Sequence, residues 1–313
     1  MAQKSKGKIL IRILLAISVA AVLMVVGVIV IPKIIAKPYF FGYSENDDDT
    51  YSISIAPQYE KNSKSVNILK LPSKYNGKPI TRVKECKLGS ISNEINEIIV
   101  PESVTAIGYD AFSHILHLKK LTLPSTIQEI EGSMALGSVE LNFQSNDYFT
   151  FENGCIVEKS TKTAVSGVNG CIIPDDVTII GRGAFKNVTI ANTSLPTSII
   201  NIKSEAFFSS TFNFEKLVIT GNIQEIDGFA FSYAKGFNKT LQISTYGSID
   251  CYAFSMCGIN TLIYDVVPTV VGSYNKLYFD SQITAYYENE NMPDFLQGKQ
   301  IESDLPGYRK YKV

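Results

Sequence analysis

Apolar and polar positions between residues 98 and 254 recur in a fixed order. A short alternating apolar run ends in proline or a small polar residue, as in Leu121-Thr122-Leu123-Pro124. A branched apolar residue stands three positions after the proline site, at Val104, Ile127, Val177, Ile199 and Ile223. A second follows three further on, at Ile107, Ile130, Ile180, Ile202 and Ile226. An Ala-Phe pair then closes the unit at residues 111, 184, 206, 230 and 253, the last four spaced by 22, 24 and 23 residues. Composition alone predicts about one such pair, so the period marks an internal repeat.

Each part of the unit has a physical reading. The alternating run is a short strand, and proline is tolerated at its end because no further ladder hydrogen bond is needed there. The x-x-apolar spacing fits a second short strand or a bend pointing inward. Alanine allows close approach of backbone, and the phenylalanine rings stack into a ladder from turn to turn. A unit this short cannot bury its own apolar side chains, whereas neighbours stacked end to end can.

With these residues in place, the chain resembles the BspA-like subfamily of leucine-rich repeat proteins. The subfamily's repeat combines an Ile-Pro strand, a Val-x-x-Ile step and Gly-x-x-Ala-Phe. Ile173-Pro174, Val177, Ile180-Gly181 and Ala184-Phe185 match it best, and the resemblance covers roughly residues 66–265. Leu136 replaces the phenylalanine, Thr220 and Ser244 replace the proline, and Cys257 alone keeps the cysteine usually found three residues after the phenylalanine. The resemblance implies a mostly β, right-handed leucine-rich-repeat solenoid with turns of about 22–24 residues. It also implies adhesion to host proteins or neighbouring cells.

The flanks differ in kind. Residues 1–12 carry Lys4, Lys6, Lys8 and Arg12, and 13–31 are nineteen positions without a charge. At about 1.5 Å per residue that run spans roughly 28 Å, the thickness of a bilayer core. It predicts one N-terminal transmembrane signal-anchor helix with the basic end in the cytoplasm. A cleaved signal peptide is the alternative, although the run exceeds the usual apolar length and Ile34-Ile35-Ala36 makes a poor cleavage site. Residues 32–65 then form a linker and an N-terminal β-hairpin cap, around an acidic turn at Asp47-Asp48-Asp49. Residues 66–265 form the solenoid, with a hairpin or three-stranded insertion near 144–168 signalled by Asn153-Gly154. Residues 266–313 form a C-terminal cap, with Lys276–Phe279 as a last strand and Tyr286, Tyr287 and Phe295 beyond it.

Charge and composition narrow the function. The 29 basic and 30 acidic residues nearly cancel, but six of the basic ones precede Pro38, leaving 23 against 30 in the remainder. That balance excludes a broad cationic face for nucleic acid. Two histidines and no tryptophan leave little material for metal sites or His-based catalysis. His114 and His117 lack a third ligand, Asp47–Asp49 lack calcium-loop spacing, and no phosphate loop or nucleophile motif occurs. Cys155 and Cys171 either bridge or serve as buried thiols. No catalytic residue, metal or cofactor is assigned, and the expectation is a protein that is not an enzyme.

The exposed face of the first strands remains as the candidate site. Outward positions there are Ile99, Thr122, Ile172, Ser194, Val218, Gln242 and Ile263, joined one step earlier by Glu97, Lys120 and Lys216. Four of the seven middle positions are Ile or Val, which suits either a ribbon for a protein partner or plain β-propensity. The expected function is a membrane-anchored, surface-displayed binding or adhesion module for an extracellular or envelope protein. The alternative is a scaffold that organises partners in its own envelope.

Overall fold

Each repeat closes one turn of a mostly β solenoid, with about eight turns stacked at a spacing of ~23 residues. The structure is a computed structural model and describes residues 41–55, 67–85, 95–113, 115, 117–274, 276–280, 282–287, 299–301 and 303–312. The apolar run 13–31, the basic segment before it, Cys86, His114 and Phe295 lie outside the described residues. No helix occurs among the described residues.

Two ladders of short strands follow the coil, one from each strand of the repeat, and each is divided into two sheets. The first strands make the front. Ile68–Lys70, Glu97–Ile99, Lys120–Thr122 and Glu140–Asn142 form a parallel four-stranded sheet. Leu217–Ile219, Thr240–Ile243, Thr261–Tyr264 and Thr284–Tyr287 continue in parallel further along, and Arg309–Lys312 and Lys299–Ile301 close that sheet antiparallel. The second strands make the back. Phe41–Glu45 and Tyr51–Ile55 form a hairpin whose second strand pairs in parallel with Lys78–Val83, followed by Ala106–Ile107 and Glu129–Ile130. The other back sheet begins with the antiparallel strands Phe149–Glu152, Cys155–Glu158 and Thr163–Gly167. It runs on in parallel through Ile179–Ile180, Asn201–Ile202, Glu225–Ile226, Ser248–Asp250 and Thr269–Val271.

The repeat motif explains this geometry residue by residue. Val100 and Leu123 still donate to the next turn, to the carbonyls of Thr122 and Asn142 at 3.0 Å each. The prolines that follow have no N–H left to place. Their carbonyls then close a tight turn, accepting from Val104 at 3.0 Å, Val177 at 3.2 Å and Ile199 at 3.3 Å. Thr220 does the same for Ile223 at 3.1 Å, which is why losing the proline there leaves the turn intact. The branched residues at both steps are buried, from Val104 and Ile107 to Ile223 and Ile226.

The Ala-Phe pair builds a third ladder along one edge. The N–H groups of Phe185, Phe207 and Phe231 donate to the carbonyls of Ala206, Ala230 and Ala253 at 2.7–2.8 Å, and all three alanines are fully buried. The rings of Phe185, Phe207, Phe231 and Phe254 stack in file, with centroids 5.4, 5.0 and 5.2 Å apart and tilts of 15–18°. Phe112 is buried but stands outside the file: Leu136 is the buried residue at the matching position of the next unit, and Gly167 lies against the Phe185 ring.

Two expectations from sequence fail, each for a stated reason. Ile172 and Ser194 are in no strand, so the front is two sheets and not one. The N–H of Ile172 is diverted to the carbonyl of Asn153 in the inserted hairpin (3.0 Å), and that of Ile173 to the side chain of Asn192 (2.7 Å). Lys276–Phe279 is not a strand either. The next front strand is Thr284–Tyr287, in register with Thr261–Tyr264, with Ala285 and Tyr287 buried where Leu262 and Tyr264 are.

Candidate functional site

The front face carries two chemistries. On the four-stranded sheet, Glu97, Lys120 and Glu140 lie side by side, with Lys120 3.9 Å from Glu140. Ile99 and Thr122 stand in the next outward row between Lys70 and Asn142. On the six-stranded sheet the outward row is Val218, Gln242, Ile263 and Tyr286, beside a row of Thr240, Thr261 and Thr284. Lys216 is exposed just ahead of the first of these strands, and Ile172 and Ser194 are exposed in the gap between sheets. Eight of the ten sequence-derived positions are thus brought together as two clusters, and Ile172 and Ser194 fall in the break between them.

Gln242 is held in place rather than free to sweep. Its amide donates to Asp265 at 2.6 Å, and Tyr308 donates to the other carboxylate oxygen at 2.5 Å. Burial alone would raise the Asp265 carboxyl. Hydrogen bonds from Ser244, Tyr308 and Gln242, with the charge of Lys216, outweigh it and hold the group below the usual carboxylate range. Tyr286 is likewise fixed, donating to Asp304 at 2.6 Å, with Lys310 over its ring at 5.4 Å.

A second surface, along the Ala-Phe edge, has no counterpart in the sequence reading. The residue before each alanine is left-handed at Asp110, Gly183, Glu205 and Phe229, with φ between 53° and 60°. So is the third residue after it, at Asn187, Ser209, Tyr233 and Met256. The later side chains at these positions project outward, whereas that of Asp110 is buried. In the earlier turns they are small or charged; from Phe229 onward they are large, with Phe229, Tyr233, Met256, Tyr274 and Tyr278 all 45–51% exposed. Phe229 stacks on Tyr252 (5.6 Å, 12°), and Tyr252 meets Tyr274 at 5.9 Å and Tyr278 at 5.6 Å. Aligning the repeats on the alanine and reading the column before it (Asp110, Gly183, Glu205, Phe229, Tyr252) is the signal that would have found them.

The earlier part of that edge is closed by ions. Tyr109 lies flat over the turns of Gly132 and Gly183, where an added Cβ would come within 3.2–3.3 Å of its ring. Arg182 covers the ring at 4.2 Å. Its hydroxyl donates to Glu205 at 3.1 Å, and Lys186 donates to Glu205 at 3.1 Å and Asp110 at 3.3 Å. Burial would raise Glu205, but the hydrogen bond and charge of Lys186, the Tyr109 hydroxyl and Arg182 outweigh it, and the carboxyl sits low. Stability from this group is fully present above the unfolded carboxylate value of about 4.3 and is lost as pH falls through the lower folded value. Glu205→Gln should therefore flatten the acid limb of the melting-temperature profile between about pH 5 and pH 3. An acid limb identical to that of the parent chain would show that the clasp contributes nothing.

Other candidates resolve simply. Asp48 accepts from Thr50 at 2.6 Å, and Lys78 pairs with Glu45 at 2.6 Å and with Asp49, so the acidic turn is tied down by its own contacts. It borders an open groove of about 530 Å³ lined also by Arg82, Lys84 and Glu129. Among the described residues no group of three His, Cys, Asp or Glu is placed to hold a metal ion. His117 is exposed. Cys155 and Cys171 are free thiols, and burial pushes Cys155 up and Cys171 to about 12, so neither is a ready nucleophile.

Comparison with known proteins gives three findings. A family model described as BspA type leucine rich repeat region matches in six copies, over residues 61–156 and 164–282. No protein of curated function matches. Among solved structures, a leucine-rich repeat protein from Eubacterium ventriosum is 13% identical, covering 83% of this chain and 96% of its own, with a TM-score of 0.43. The pneumococcal vaccine antigen PcpA is 12% identical over 80% and 92%, TM-score 0.40. A leucine rich cell surface protein from Faecalibacterium prausnitzii is 17% identical over 76% and 73%, TM-score 0.38.

Proposed function

This chain belongs to the BspA-type leucine-rich repeat family, and on that premise we propose that it is a membrane-anchored, surface-displayed adhesion module that binds protein and catalyses nothing. The anchor is the apolar run 13–31, with the basic N-terminus inside the cell and the coil, right-handed as parallel crossovers normally are, outside. The contact surface is the front face, chiefly its six-stranded part.

One observation supports that choice above the others. Val218, Gln242, Ile263 and Tyr286 are in register on four neighbouring strands, half-buried, with Gln242 and Tyr286 held by hydrogen bonds. At about 4.8 Å per strand the row is roughly 14 Å long, enough for four residues of an extended partner. Apolar and polar groups alternate along it, so contact combines apolar burial with modest polar pairing. Pre-fixed side chains also reduce the entropy lost on binding.

Full-length chain in detergent, immobilised and exposed to purified matrix proteins and to foreign cells, tests the reading. Val218→Asp with Ile263→Asp should cut capture at least tenfold while the far-ultraviolet spectrum stays unchanged. Capture that survives the pair would remove the front sheet from the function. Co-purification with proteins of the same membrane alone would favour the envelope scaffold.

A further inference from the structure

The rings at the distal end of the Ala-Phe edge stand beside carboxylates. Asp227 and Asp250 each precede an aromatic by two residues, Phe229 and Tyr252, and the register Ile226 with Ile249 sets the two carboxylates on adjacent turns. Glu225 lies next to them. Lys203 faces this group, 2.5 Å from Glu225 and 3.8 Å from Asp227, so one ammonium is shared between those two carboxylates. Burial, with Glu225 and Asp250 adding to it, raises the Asp227 carboxyl despite Lys203.

Folding does not account for the aromatics. Phe229 and Tyr233 are held at φ 59° and 60°, a conformation that costs a bulky residue about 1 kcal/mol or more. Both are about half exposed, so they recover little of that cost by burial. Aspartate, glycine and glutamate serve at the position before alanine in the earlier turns.

The chain itself shows what such a corner takes. At the other end of this edge, Arg182 lies over Tyr109, and Lys186 lies over Phe208 at 5.7 Å while bound to Asp110 and Glu205. Ring, carboxylate and cation are all present there. At Phe229 and Tyr252 the rings and carboxylates recur, but among the described residues no lysine or arginine covers either ring. We propose that the corner formed by Asp227, Phe229, Asp250 and Tyr252 is a second docking surface, distinct from the front sheet, that takes an arginine-bearing basic segment of a partner protein. The guanidinium lies on the Phe229–Tyr252 stack and its N–H groups reach the carboxylates, as a planar cation does better than an ammonium.

The probe is a fluorescent twelve-residue peptide of alternating Arg and Ser, titrated into the full-length chain in detergent and followed by anisotropy. Lys-Ser and Glu-Ser peptides and the neutral oligosaccharide chitohexaose serve as comparisons. The Arg-Ser peptide should bind at least threefold more tightly than Lys-Ser, with Glu-Ser and chitohexaose silent. D227N with D250N should weaken it at least tenfold and flatten its salt dependence, and F229S with Y252S should weaken it as much. D47N with D48N, which removes the same charge elsewhere, should change affinity less than twofold. Equal loss from both charge-neutralised pairs would reduce the effect to net charge and overturn the proposal. So would binding of chitohexaose, which would make the rings a sugar platform. The Asn variants keep side-chain shape, and an unchanged melting temperature confirms that they fold.

Discussion

Gly236→Ala is expected to unfold the distal turns at a temperature where the parent chain is intact. A Cβ at this position would lie 1.8 Å from the carbonyl oxygen of Phe212, and the backbone is at φ +92°. Neither atom can retreat. Phe212 donates to Lys235 at 2.8 Å, Phe214 donates to Gly236 at 2.8 Å, and the Phe212 ring packs on Phe207 and Phe214 at 5.3 and 4.7 Å. The cost is about 4 kcal/mol or more, or roughly 10 °C in melting temperature for a domain of this size. Gly258→Ala is the control, because its φ is +65° with nothing within 4 Å, and it should cost only about 1 kcal/mol. Thermal melts of the two variants by circular dichroism decide the matter, and equal shifts would contradict the close approach.

Phe207→Ala should have an effect of comparable size. The ring is fully buried, stacked between Phe185 and Phe231, and meets Phe212 from the side. Removing it costs about 3–5 kcal/mol in cavity and lost burial, and two stacked contacts add about 0.5–1.5 kcal/mol each. Phe112→Ala, equally buried but outside the file, should fall short of Phe207→Ala by that stacking contribution. Chemical denaturation of both variants measures the difference. Identical losses would mean that the file is a packing coincidence without energetic weight.

The fold was legible because its causes are local and repeated. Proline ending a strand, a branched residue three places on and Ala-Phe at the close each dictate one feature of the turn, and the feature recurs where the residues do. Thr220 departs from the pattern yet keeps the turn, because a carbonyl suffices. Ile172 shows where this logic stops. Its own unit is the best match to the motif, but the carbonyl that captures its N–H belongs to Asn153, in an insertion with no repeat partner. The strand at Thr284–Tyr287 was obscured for the opposite reason: its unit lacks the Ala-Phe pair, and only pairing with Thr261–Tyr264 defines it.

The candidate surfaces divide in the same way. Alternation along a strand told which side chains on the front point outward, since the side-chain period in a strand is two. The aromatic edge obeys no such alternation. Phe229, Tyr233 and Met256 protrude from left-handed backbone before and after Ala-Phe, a property of turn geometry that hydropathy does not encode.

The breaks in the ladders fall at different heights. The front ladder stops after Glu140–Asn142 and resumes at Leu217–Ile219, whereas the back ladder changes sheet earlier, between Glu129–Ile130 and Thr163–Gly167. Across both gaps the edge carries on, Asp110 bonding to Ser133 at 2.7 Å, Ser133 to Arg182 at 3.2 Å and Gly183 to Ser204 at 3.0 Å. The seams are offset like the joints in brickwork. A pull along the coil therefore finds no single course at which both ladders are already open, and must break turn-to-turn hydrogen bonds wherever it parts the halves.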